Sequence, residues 1–428
     1  MTPSNTQPKR MAVIGGGWAG LAAAVNATRH GHRVTLYEMA AHLGGRAREV
    51  SHNGFALDNG QHILIGAYGE TLRMMALVGA DVDALLLRMP LRVTYPDGKG
   101  LRLPSGPPML AFAWAVLNYP DWCWSEKLSL LRTATQWVAR RFRCDGSLTV
   151  AQLTGHLPPA VREELLDPLC VAALNTPATQ ASASVFLRVL RDALFSGPGS
   201  ADLLLPRRRL SALWPDPAAR WLQANGAMLR ISHRVERLLP DGTSWQVDGE
   251  PFDGVVLACT AVEAVRLTQS CAPGWSAQAH ALHYEPIVTV YACSLGARLP
   301  EPMMALYSAD AEPAQFVFDL GQIAGLDSIL AFVISGAAPW VARGTETTVN
   351  ATLTQGRKAL GQYLVAPLEA LRVTTEKRAT FLCTPALHRP AMRVLPGLWA
   401  AGDYVAGPYP ATLEGAIRAG LAASDAMA

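Results

Sequence analysis

At 428 residues the chain is too long for one simple core and calls for two intimately joined domains. Half of its residues are hydrophobic and 17% are charged, with a net charge of +3; this fits a greasy substrate pocket or a membrane-facing surface and supplies no basic block for nucleic acid. Its seven cysteines (123, 144, 170, 259, 271, 293, 383) are scattered without a C-x-x-C pair and its histidines are dispersed, which excludes a metal-site spacing and fits a reducing compartment.

The apolar run after Lys9 and Arg10 reads as a buried strand over 11–14, so no signal peptide is called for. Gly15, Gly17 and Gly20 follow as G-x-G-x-x-G, with Ala19 inside the turn. The first glycine permits the turn, the second lets the backbone approach a pyrophosphate, and the third lets helix pack on strand. Residues 21–30 read as an alanine-rich helix stopped at Gly31, and 33–37 as a second strand ending at Glu38, 18 residues after Gly20. A carboxylate there can accept hydrogen bonds from a ribose diol, and the helix N-terminus offers N–H groups to phosphate.

Gly44, Gly45 and Arg46 then complete an E-x5-G-G-R extension. That extension resembles the FAD-binding flavoproteins of the amine oxidase and phytoene desaturase superfamily, and the resemblance implies that these residues close over the FAD pyrophosphate. It further implies an α/β fold, with a Rossmann-type FAD-binding domain and an interleaved α+β substrate-binding domain. In the next stretch, Gly54 and Asp58-Asn59-Gly60 are turn signals. The superfamily pattern brings Gly60, Gln61 and His62 close to the flavin ring.

Residues 70–78 read as a short helix ended by Gly79, and 88–103 as a hairpin turning at Pro96-Asp97-Gly98. Residues 103–120 carry no charge, yet their prolines forbid an uninterrupted spanning helix of about 20 residues. Tyr119, Trp122, Trp124, Trp137 and then Arg140, Arg141 and Arg143 follow. Two readings fit: an interfacial membrane segment, or a buried helical layer with solvated arginines. Residues 147–210 read as mainly helical, with an amphipathic helix over 185–195.

A helix over 217–225 leads to strands at 228–231, 234–239, 244–247 and 254–258. This resembles the superfamily's return to the FAD domain, in which the residue at Val235 meets the adenine through its backbone; core packing accounts for a valine there equally well. Strands at 287–295 and 329–334, with 306–318, fit an antiparallel sheet flooring a substrate cavity, and 347–363 reads as a helix. A strand over 394–398, Gly402-Asp403 and a helix from about Thr412 and Leu413 resemble the superfamily's C-terminal flavin motif. The resemblance assigns Asp403 to the ribityl chain and turns the helix N-terminus toward the flavin's polar edge. Asp403 as a turn residue and Thr412 as a simple N-cap are the alternatives. The expected division is a FAD-binding domain from 1–75, 206–270 and 376–428, a helical substrate-binding part over 76–205 and a substrate-binding sheet over 271–375.

Four stretches narrow the likeness within the superfamily: DNGQHILIGAYGETLRMM (58–75), ALNTPATQASASVFLRVLRDALF (173–195), DLLLPRRRLSALWPDPAARWLQANG (202–226) and PYPATLEGAIRAG (408–420). They resemble the family of squalene-associated hydroxysqualene dehydroxylases over nearly the whole chain. The resemblance implies removal of an allylic hydroxyl from a C30 isoprenoid, with reduced FAD as hydride donor and an unidentified reductant. A cytoplasmic enzyme peripheral to the inner face of the membrane is expected. His62 is the candidate proton donor, oriented by Asp58, with Tyr409 second; a structural His62 and an Asp58 that caps the turn are the alternatives. A carotenoid-type desaturase would use the same fold in the oxidising direction. Amine oxidase chemistry lacks its lysine, because none occurs between Lys127 and Lys358. A non-catalytic prenyl-binding escort would lose parts of a fingerprint that is intact here.

Overall fold

A computed structural model describes residues 7–52 and 55–427; the turn expected at Gly54 lies outside the described residues. One six-stranded sheet gathers segments from distant parts of the chain, in the order Met228–Ile231, Arg33–Glu38, Arg10–Ile14, Gly254–Leu257, Leu398–Ala400 and Arg393–Leu395. Every pairing is parallel except the last. Its central strands are apolar on both sides because both faces are covered there. Met11, Val13, Leu36 and Val256 enter one core, and Ala12, Ile14, Tyr37, Val255 and Leu257 enter the other. This is the Rossmann-type layer of an α/β fold.

Helices Trp18–Arg29 and Leu413–Asp425 pack together over the first of those cores. The approach is close: a side chain at Gly420 would place its Cβ 2.1 Å from the Ala19 carbonyl oxygen. The alanines of the first helix serve the same end, since bulk there would push the helices apart.

A second, antiparallel sheet runs in the order Met303–Ala305, Phe316–Asp319, Ile329–Ile334, Tyr284–Cys293 and Glu369–Phe381. Alternation again explains it, with Tyr291, Phe318 and Ala331 in one core and Val290, Val317 and Phe332 in the other. A helical layer with its own core contains Pro108–Leu117, Trp124–Ala139, Asp167–Leu174 and Ala183–Phe195. Among the described residues, no helix is long and apolar enough to cross a membrane.

Some local expectations are corrected. The hairpin pairs only Arg92–Thr94 with Gly100–Arg102, whereas Leu86–Met89 pairs with Leu203–Pro206, a strand inside the stretch read as helical. The strand expected over 234–239 begins only at Leu238, because the Asp248 carboxylate takes the Glu236 and Arg237 N–H groups at 3.0 and 2.8 Å. The first helix begins at Trp18 rather than 21, and the strand at 369–381 had no counterpart in the sequence reading.

Candidate active site

A cavity of about 470 Å³ opens at the carboxyl ends of the parallel strands, between the two sheets. Gly15, which starts its wall, has φ +113°, donates its N–H to the Tyr37 carbonyl at 2.7 Å, and has backbone atoms of Ala258 and Cys259 within 2.7 Å of any added Cβ. Gly17 and Ala19 also line the cavity, while Gly20 does not. A Cβ at Gly20 would lie 1.8 Å from the Gly15 oxygen, so its role is the tight turn itself. Gly17 is different, since its added Cβ would meet nothing nearer than Gly45 Cα at 3.9 Å and would project into the open cradle.

Glu38 lines the same wall, and each carboxylate oxygen accepts one backbone N–H, from Gly16 and Ala40, at 2.7 Å. Both oxygens keep lone pairs for a further donor. Gly44 donates its N–H to the Gly16 carbonyl at 2.9 Å, which folds the Gly44-Gly45-Arg46 segment over the turn. Arg46 then reaches Asp403 at 2.5 Å and the Ala379 carbonyl at 2.7 Å. The two motifs recognised at opposite ends of the sequence therefore close on each other through a partly buried ion pair. Gly402, Asp403, Thr412 and Leu413 line that end of the cavity. Thr412 caps the last helix, accepting the Gly415 N–H at 2.9 Å.

Val235 lines the adjoining wall, its carbonyl held by Arg266 at 2.5 Å and its N–H without an acceptor among the described residues. Gly60, Gln61 and His62 form another face of the cavity. His62 Nδ1 lies 2.8 Å from the Gly60 carbonyl. Burial lowers the imidazole's pKa below 6.5, the Gly60 hydrogen bond opposes this, and the Arg46 charge reinforces it. At neutral pH less of His62 is therefore protonated than of an ordinary imidazole.

The expected Asp58–His62 pairing is absent. Asp58 does not line the cavity, and its carboxylate instead accepts the Leu210 N–H at 2.9 Å. Burial pushes this carboxyl up to about 7 against the pull of the Leu210 N–H. Tyr409 also faces away, into an outer crevice where Arg188 and Arg418 lie over its ring at 5.4 and 4.9 Å.

Three participants escaped the sequence reading. Tyr404 lines the cavity and its buried hydroxyl has no partner among the described residues; its position directly after the Gly-Asp motif was a usable signal. Burial keeps that phenol protonated. Asn175, at φ +47°, cross-links the helical layer to the second sheet through the Thr380 hydroxyl at 2.9 Å and the Gly336 N–H at 2.7 Å. Glu414, fully buried, accepts the Glu70 and Thr71 N–H groups at 3.1 and 2.9 Å, capping the helix Gly69–Leu77.

The residues fit FAD on this structure's own terms. An open glycine cradle, the lone pairs of Glu38 and the Val235 N–H line one cavity beside a helix N-terminus, a set suited to phosphate and ribose. The family model for flavin containing amine oxidoreductase matches residues 18–428. A hydroxysqualene dehydroxylase of Rhodopseudomonas palustris is 28% identical over 445 residues, covering 97% of this chain and 98% of that protein. One from Sinorhizobium fredii is 25% identical, covering 98% of each. Among solved structures, an oxidoreductase from Methanosarcina mazei superposes with a TM-score of 0.74 at 18% identity, covering 96% of this chain and 99% of that one.

Proposed function

The chain belongs to the flavin containing amine oxidoreductases and is an FAD-dependent oxidoreductase; on that premise we propose that it reductively removes the allylic hydroxyl of hydroxysqualene, giving squalene for hopanoid synthesis. The observation that carries the reading is a dinucleotide cradle opening directly onto an apolar wall, formed by Ile63, Ala172, Ala173 and Ile287. The end-to-end likeness to two hydroxysqualene dehydroxylases supports the substrate class. Reduced FAD, when bound, supplies a hydride. Gly17, Glu38, Arg46, Val235, Asp403 and the Thr412–Leu413 helix start are the groups that would hold it.

The rest falls to the protein. Loss of an allylic hydroxyl leaves a delocalised cation, so the apolar wall must keep water away from carbon. The hydroxyl must take up a proton to leave as water. His62 is an imidazole on the cavity wall, and burial lowers its pKa, so it serves as an acid more readily as pH falls. Asp58 and Tyr409 act at a distance, as a strap to Leu210 and a link to the outer arginines. A substrate this apolar resides in bilayers, so the reading includes a cytoplasmic enzyme peripheral to the inner face of the membrane.

The test is anaerobic incubation of dithionite-reduced protein with hydroxysqualene and identification of the product. Squalene formed with one equivalent of flavin oxidised is the expected outcome. Desaturation of a polyene by the oxidised protein, with no squalene from the reduced one, would overturn the proposed direction.

A further inference from the structure

The helix Pro108–Leu117 sits within a stretch free of charge from 103 through 120, yet it is not enclosed. One side, with Ala111, Ala115 and Val116, enters the helical core. The other presents Leu110 at 69% exposure, Trp114 at 54%, Met109 and Leu117. The neighbouring helix Trp124–Ala139 adds Trp124 at 66% and Leu128 at 57%. Single exposed apolar residues are ordinary, but six on two adjoining helices form a face. Lys127 joins the pair, its ammonium 2.9 Å from the Leu117 carbonyl and over the Trp124 ring.

Along the segment that carries this face the charge is one-sided. Residues 103–143 hold five basic residues (Lys127, Arg132, Arg140, Arg141, Arg143) against Asp121 and Glu126. Among the described residues, none of those four arginines has a carboxylate within ion-pair distance. Directly behind the face is a small cavity of about 30 Å³ with apolar walls throughout. Phe112 of the first helix and Leu130, Ala134 and Trp137 of the second line it. So does Leu169, on the helix Asp167–Leu174 that presents Ala172 and Ala173 to the flavin cavity.

We infer that this helix pair is a port: its outer face rests in an anionic bilayer, and its inner face leads an isoprenoid chain through the apolar cavity toward the flavin. The inference rests on the isoprenoid reading given above. Two exposed tryptophans and, later in the same segment, four arginines without ion pairs match the lipid interface, where apolar side chains enter the acyl boundary and cations meet phosphate. A second copy of the chain would bring the same unpaired cations face to face, so the bilayer is the better occupant.

The test uses the FAD-loaded full chain and vesicles of phosphatidylcholine with or without phosphatidylglycerol. Wild type should float with the anionic vesicles, less so as salt rises, and should take up labelled squalene from them. A Leu110→Asp/Trp114→Asp variant should keep its flavin, lose flotation roughly tenfold or more, and slow on vesicle-borne substrate but not on detergent-dispersed substrate. Ala134→Phe should float normally while squalene uptake falls. Undiminished flotation and uptake by the double variant would overturn the port, as would a wild type that dimerises through this face and ignores vesicles. Squalene uptake needs no turnover, so flotation and uptake without dehydroxylation would sink the proposed reaction alone. Normal dehydroxylation with indifferent variants would sink the port alone.

Discussion

Replacing Asp58 by Asn should stabilise the protein, and by more as pH rises. The carboxyl is pushed from 3.8 up to about 7 by burial, with Glu49 adding repulsion and the Leu210 N–H and Arg209 pulling back. A group whose folded pKa is raised favours folding fully below its unfolded pKa, and that contribution is lost as pH climbs through the folded value. The window is therefore about pH 4 to 7. A displacement of this size corresponds to about 4 kcal/mol at most. The residue as a whole keeps some exposure, so a working figure of about 1–3 kcal/mol is expected. Asn preserves the acceptor for the Leu210 N–H at 2.9 Å, so the hydrogen bond survives and only the charge goes. Denaturant unfolding of both proteins near pH 5 and near pH 8, with FAD saturating, measures the difference. The variant's advantage should widen between the two, and turnover should stay close to wild type because Asp58 lies off the cavity. An advantage independent of pH would show that Asp58 is not held against its charge. A collapse in turnover with flavin retained would return it to the catalytic centre.

Gly17→Ala should fold with an apo melting temperature near wild type yet purify without flavin, because its methyl enters the cradle, whereas Gly20→Ala should lose soluble protein through its collision with the Gly15 carbonyl; flavin content and melting curves separate them. Glu38→Gln should weaken FAD by about 1–3 kcal/mol in apoprotein titrations, since a charge-assisted acceptor is lost; unchanged affinity would remove Glu38 from the diol site. Glu414→Ala leaves the Thr71 hydroxyl, two N–H groups and Arg418 without their acceptor in a buried place, so unfolding should become easier by about 3–5 kcal/mol, measured by denaturant midpoint. His62→Gln should retain FAD, lose roughly 10²–10⁴-fold in turnover and flatten the acid-side rise of the pH profile; turnover within a few-fold of wild type would make His62 structural.

Local features of the sequence were legible because their causes are local. The glycine turn, the alanine helix and the Thr412 cap each follow from residues within about one turn of one another. The link from Arg46 to Asp403, 357 positions apart, was approached only because both ends carried recognisable motifs. Leu203–Pro206 was hidden for the opposite reason: its partner Leu86–Met89 lies more than a hundred residues earlier, and an apolar run does not announce its pairing. The 234–239 stretch has a strand's composition, but one carboxylate, Asp248, supplied what a neighbouring strand would have. Asp58 and His62 looked like partners through nearness in sequence. The Asn59-Gly60 turn between them sends one side chain to Leu210 and the other to the cavity.

The closure of Arg46 on Asp403, and of Gly254–Leu257 on Leu398–Ala400, has a consequence for biosynthesis. At roughly 5–20 residues per second, some 20–80 s separate emergence of the glycine turn from emergence of Asp403. Throughout that interval the nascent Rossmann half lacks a sheet neighbour, the Gly420 ridge that seats against Ala19, and the carboxylate that locks Arg46. The flavin cradle is therefore complete only once residues from both ends of the chain have met, so its assembly waits on the last strands and the last helix.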